Sequence, residues 1–157
     1  MIRIFDIEID PKRFAEEHFV FTCKCRKDFF ELPQVDGMIG PIFETISTEI
    51  GCPIKAMATD PEKPDHLHLF IGRPKTMTEA KLAQRFKGAS SRELRKKIPL
   101  LKGMERKAFW GRRYWSEPVG HLDAAKLIKY MQNQGHKKRE AEPLKIAAKP
   151  VPQRRLL

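Results

Sequence analysis

Two of the five histidines in this 157-residue chain, His66 and His68, stand two apart in the run Asp65-His66-Leu67-His68-Leu69-Phe70-Ile71. In a β-strand, residues two apart project from the same side, about 6.6–7 Å apart along the chain. Both imidazoles then face one way while Leu67, Leu69 and Ile71 face the other. Imidazoles presented in that way can converge on one metal ion. The same spacing also arises wherever a half-buried strand turns a polar face to water, so by itself it leaves both readings open. Asp65 is equally open: it could be a ligand, a group that orients a ligating imidazole, or a turn residue.

A second group lies near the end of the chain. Leu127, Ile128 and Met131 form an apolar stripe at helical spacing, and Lys126, Tyr130 and Gln134 follow one another at four-residue steps along its flank. A tyrosine with lysine and glutamine as flank-mates is expected to face a site or solvent, although a core tyrosine is the ordinary alternative. Gln134 could then reach a metal held by His66 and His68, with Tyr130 beside it. Such ligands are all neutral, so the ion would keep its full double charge to polarise a phosphate. A tyrosine hydroxyl is a weak nucleophile until assisted, yet it can form covalent intermediates.

The elements that must carry these groups are legible in outline. His18–Arg26 alternates with a period of two and reads as a strand with Phe19, Phe21, Cys23 and Cys25 on one face. Met38, Ile39, Ile42, Phe43, Ile46 and Ile50 predict an amphipathic helix ending near Gly51. Residues 53–59 form a second strand, 60–64 a turn and 66–71 a third strand. Short helices are predicted over 78–85 and 91–97, a fourth strand over 109–119, and a helix from an Asp123 cap to about Gln134, with Gly135 just beyond it. This order predicts an α+β fold: a ferredoxin-like (RRM-like) antiparallel sheet of four to five strands with helices on one face, plus the C-terminal helix that bears Tyr130. One domain spans residues 1–135. The proline-containing basic tail, 136–157, is expected to be flexible.

Composition narrows the function. No stretch approaches the ~20 apolar residues that span a bilayer, and the acids in the first ten residues argue against a signal peptide. Three cysteines in a chain of this size suggest reduced thiols in a cytoplasm, and their C-x-C spacing is not by itself a zinc pattern. The net charge of +11 is unevenly spread: residues 85–113 carry 11 bases against two acids, and 135–157 carry seven against two. Two basic blocks of this kind are the footprint of a polyanion. The first is interleaved with Phe86, Phe109, Trp110, Tyr114 and Trp115, the mixture that single-stranded nucleic acid asks for. Lys24, Arg26, Lys87, Arg92, Arg112 and Arg113 are the expected DNA-binding residues.

Five motifs, His18–Arg26, Asp65–Phe70, Phe86–Arg92, Phe109–Trp115 and Tyr130-x-x-x-Gln134, together closely resemble the HUH single-tyrosine transposases, the TnpA-like enzymes of hairpin-ended insertion sequences. The resemblance runs in order from about residue 17 to 135. It implies that His66, His68 and Gln134 are metal ligands for Mg²⁺ (or Mn²⁺) and that Tyr130 is the catalytic nucleophile. It further implies cleavage and rejoining of single-stranded DNA at hairpin ends through a 5′-phosphotyrosine link, in a prokaryotic cytoplasm, by a homodimer whose sites can be shared between subunits. Cys25, where an aromatic is more usual, and Trp115, where a Phe is common, depart from the pattern at non-catalytic positions. A related nickase that processes repeated palindromes is the nearest alternative. A relaxase would typically carry a third histidine, and a non-enzymatic RRM-like module would carry stacking aromatics where His66 and His68 stand. A phosphoesterase with two H-x-T motifs does not fit a single His-x-His.

Overall fold

The computed structural model describes residues 1–102, 108–120, 123–133 and the backbone of 154–155. Six strands form one sheet in the order β1-β3-β4-β2-β5-β6, and every neighbouring pair is antiparallel. The strands are β1 (Ile2–Ile4), β2 (Phe14–Cys23), β3 (Ile54–Asp60), β4 (Lys63–Pro74), β5 (Trp110–Pro118) and β6 (Arg154–Arg155). The helices are α1 (Pro33–Ile50), α2 (Glu79–Lys97), the single turn α3 (Pro99–Lys102) and α4 (Ala124–Asn133). The expected α+β sheet is therefore present, enlarged at both edges by β1 and β6.

Side-chain alternation divides the sheet into two unequal faces. Phe19, Phe21 and Cys23 of β2 and Leu67, Leu69 and Ile71 of β4 point to one side, where they pack with Val35, Ile39, Phe43 and Ile46 of α1 and Leu82, Phe86 and Leu94 of α2. Fully burying aliphatic or aromatic side chains of this kind contributes about 1.5–3 kcal/mol each, so most of the stability resides here. The opposite side is narrower. Ala56 and Ala58 of β3 and Phe70 of β4 meet Val119 and, on α4, Leu127 and Met131. The two alanines leave room for α4 to lie close to the sheet, on the face away from α1 and α2.

Several boundaries differ from the sequence reading. β2 starts at Phe14 and stops at Cys23, and Lys24–Arg26 is a 3-10 turn in which Cys25 (φ 56°) and Arg26 (φ 53°) are left-handed. Cys25 is consequently exposed and does not share the face of Phe19 and Phe21. The two short helices expected over 78–97 are one helix: Gly88 is tolerated because Phe86, Ser90 and Leu94 continue the buried stripe through it. Thr78 caps its start, its hydroxyl accepting from the Lys81 N–H at 3.1 Å. Gly51 (φ 69°) ends α1 in the left-handed conformation that favours glycine. The β3–β4 hairpin closes through Pro61 and Glu62, with Asp60 Oδ1 accepting from the Glu62 N–H at 2.9 Å. Gln134, Gly135 and the tail from 136, apart from the backbone of Arg154 and Arg155, lie outside the described residues.

Candidate active site

β4 holds His66 and His68 on the α4 face of the sheet, and their rings converge: the two Nε2 atoms are 3.1 Å apart. Each ring is fixed through its other nitrogen by a different arm. His66 Nδ1 lies 2.7 Å from Asp65 Oδ1, and Asp65 Oδ2 accepts from Arg26 Nε at 2.9 Å. A carboxylate can only accept here, so His66 carries a proton on Nδ1, and in the neutral ring Nε2 is then the lone-pair nitrogen that faces His68. Burial works against the Asp65 carboxylate, but the His66 hydrogen bond and the Arg26 charge outweigh it and hold its pKa below the ordinary carboxylate value. The left-handed turn at Cys25 and Arg26 is what brings the guanidinium back over Asp65.

His68 Nδ1 lies 2.9 Å from His18 Nε2, and the two rings stack with centroids 5.2 Å apart. His18 sits on β2 beside Glu117 of β5, whose carboxylate is 3.7 Å from His18 Nδ1, and the Trp115 ring meets His18 edge-on. Burial pushes the His18 pKa down against the pull of Glu117, which favours a neutral ring. The sequence reading did not single out His18 or Glu117. The period-two pattern already set His18 opposite to Phe19 and Phe21; which strands lie beside β2 was the missing information.

Tyr130 comes from α4. Its ring stands edge-on to His68 at a centroid distance of 5.5 Å within the same chain, and it is half-buried, not a core residue. Leu127 and Met131, both fully buried, seat the helix that carries it. Gln134, the expected third ligand, is one residue past α4 and outside the described residues. Among the described residues, no group of three or more His, Cys, Asp or Glu side chains is arranged to hold a metal. The His66–His68 pair does fit one: nitrogens about 2.1 Å from a common ion and at right angles to one another would be about 3 Å apart.

The expected DNA-binding residues do not behave alike. Arg92, Arg112 and Arg113 are exposed and Lys24 is half-buried. Arg26 leaves most of its side chain in solvent while its Nε is committed to Asp65. Lys87 departs from the expectation. It is buried, and its ammonium donates to the carbonyls of Gly111 (2.7 Å) and Arg113 (2.8 Å). Burial pushes its pKa down to about 8. These carbonyls belong to the irregular stretch where the β2–β5 register shifts between Phe21 and Cys23, and the same α2 surface gives Ser90 Oγ to the Trp110 indole N–H at 2.9 Å. Lys87 therefore buttresses the segment that presents Arg112 and Arg113.

The sequence profile of the family described as "Transposase IS200 like" matches residues 14–134, and the chain belongs to that family. The fold recurs in a crystal structure of a candidate transposase from Deinococcus radiodurans R1, with a TM-score of 0.61 and 23% identity over 83% of this chain and 98% of that one. It recurs also in a REP-associated tyrosine transposase solved bound to a REP hairpin, with a TM-score of 0.57 and 12% identity over 83% of this chain and 72% of that one. No curated protein matches the chain. Among the described residues, no helix is long and apolar enough to cross a membrane.

Proposed function

We propose that this transposase cleaves and rejoins single-stranded DNA at hairpin-marked element ends, with Tyr130 as nucleophile. The observation that carries the reading is the Tyr130 ring against His68, whose Nε2 and that of His66 converge at 3.1 Å. Tyr130 Oη attacks the scissile phosphorus and gives up its proton. The bond from phosphorus to the 3′-oxygen breaks, and that oxygen takes up a proton to become a free 3′-hydroxyl. The strand beyond stays attached as a 5′-phosphotyrosine. Rejoining is the reverse step with a new 3′-hydroxyl, and no external energy source is needed because the ester bond is conserved. Mg²⁺ or Mn²⁺ held by His66, His68 and Gln134 would polarise the phosphate oxygens. Asp65 and Arg26 keep His66 turned toward that position, and α4 holds the phenol beside it.

The exposed arginines Arg92, Arg112 and Arg113 supply charge for phosphates, and the hairpin bound to the REP-associated neighbour supports a hairpin as the ligand. Homodimer formation by way of sheet edges belongs to the same reading. The experiment is direct. Incubated with an end-hairpin oligonucleotide and Mg²⁺, wild type should give a denaturant-resistant adduct, and Tyr130→Phe should give none while binding the hairpin equally well. An adduct that persists in Tyr130→Phe would assign the chemistry to another residue. Retention of full function without any adduct would favour a binding module.

A further inference from the structure

The geometry points to His18 and Glu117 as positioning residues that set which nitrogen of His68 faces His66; this rests on the metal-binding reading of the His66–His68 pair. One proton is shared along the contact between His18 Nε2 and His68 Nδ1, 2.9 Å long. If His18 keeps it, the His18 Nδ1 lone pair is turned toward the Glu117 carboxylate 3.7 Å away, acceptor against acceptor, in a pocket where both side chains are about 95% buried. If His68 keeps it, His18 carries its own proton on Nδ1 toward Glu117, and the facing lone pairs of His66 Nε2 and His68 Nε2, 3.1 Å apart, are complemented by the cation the pair would hold. With a cation at the His66–His68 pair, the second arrangement wins on charge. It leaves His68 Nε2 bare and aimed at the same point as His66 Nε2. The stacked His18–His68 rings, and Trp115 edge-on to His18, hold the row in line.

The two imidazoles are thus anchored by unlike means: His66 by a carboxylate at the rim, His68 by a buried histidine that relays the charge of a carboxylate one strand further away. A donor at position 18 would reverse the His68 tautomer and put an N–H where a metal ligand is required, whereas an acceptor there would preserve it. Loss of such an orienting partner typically costs 10–100-fold in metal affinity.

Mn²⁺ binding to the DNA-free protein, followed by the electron paramagnetic resonance of free Mn²⁺, tests this with wild type, His66→Ala, His18→Phe, His18→Gln and Glu117→Gln. His18→Phe should bind Mn²⁺ 10–100-fold more weakly, and His18→Gln, whose amide oxygen can accept from His68 Nδ1, should stay within about threefold of wild type. Glu117→Gln should fall between them. Packing alone predicts the reverse order, because Phe restores the ring contacts with His68 and Trp115 and Gln does not. Thermal melts should follow packing while Mn²⁺ affinity follows hydrogen-bonding capacity. If wild type and His66→Ala bind alike, the metal reading itself fails. If wild type binds, His66→Ala does not, and His18→Phe matches wild type, the metal reading survives and the positioning role is overturned.

Discussion

The two faces of this sheet are built from the same strands and do opposite work. Along β4, Leu67, Leu69 and Ile71 are sealed under α1 and α2, while His66 and His68, which alternate with them, look out toward α4. The apolar face is broad, continuous and closed by two long helices. The polar face has a small cluster under one ten-residue helix. A site that must admit DNA needs an open face, and an open face can be kept in shape only if the other side supplies the stability. A one-residue slip of β4 would exchange the two sets, so the aliphatic residues fix the register that the histidines depend on.

Neighbouring positions on β4 give the strongest test of that division. Leu69→Ala removes a fully buried side chain from the large core and should cost about 2–5 kcal/mol in denaturant unfolding, while cleavage by the protein that stays folded is preserved. His68→Ala, one residue away, should abolish adduct formation with a much smaller loss of stability. Equal destabilisation by the two substitutions would contradict the division of labour.

The small core is the next place to press. Met131→Ala should cost about 2 kcal/mol, at the low end of the range for buried Met, because a cluster at the margin of the sheet can relax around the gap. Its effect on cleavage should exceed its effect on stability, since Leu127 and Met131 seat the helix that brings Tyr130 to His68. Hairpin affinity should hardly change. If Leu69→Ala and Met131→Ala depress adduct formation in the same proportion to their loss of stability, α4 has no special link to the chemistry.

Lys87 is a buried cation on a mostly apolar side. Lys87→Met keeps the volume of the stem but leaves the Gly111 and Arg113 carbonyls without the ammonium, a loss of about 1–3 kcal/mol for buried acceptors left unpaired. A direct DNA contact would show instead as weaker hairpin binding with a shallower salt dependence and unchanged stability. With its folded pKa lowered to about 8, Lys87 disfavours folding while charged, and that penalty is relieved as pH rises from about 8 toward the ordinary lysine value of 10.5. Gain of wild-type stability relative to Lys87→Met over that interval, measured by urea titration, is the expected sign.

How much of this could be read from sequence follows the same division. Local periodicity was enough for β4: alternation in Asp65–Ile71 set both histidines on one face, and helical spacing put Tyr130 on the flank of α4. The α+β sheet followed from the order of such segments. Lys87 was misread because a lysine within a basic run gives no sign that its neighbours Phe86 and Ser90 turn inward and take it along. His18 and Glu117 went unnoticed because they reach His68 only through the strand order β4-β2-β5, a pairing over long sequence separations that no local pattern encodes. The early end of β2 had the same origin, since the left-handed turn at Cys25 and Arg26 makes sense only once Asp65 is beside it.

The smallest effect separates the two arms that hold the imidazoles. Arg26 is mostly in solvent, so its pair with Asp65 is screened and contributes little to stability. What it does contribute has a definite pH signature. The folded pKa of Asp65 lies below the ordinary aspartate value of 3.8, so its stabilisation is fully present above 3.8 and is lost as pH falls through the lower folded value. Melting temperatures of wild type and Asp65→Asn should therefore differ modestly near pH 6, wild type higher, and the gap should close as pH drops below 3.8. A gap that stays constant down to pH 2 would mean that Asp65 acts through neutral hydrogen bonding alone, and the charge of the Arg26–Asp65 arm would then have no part in holding His66.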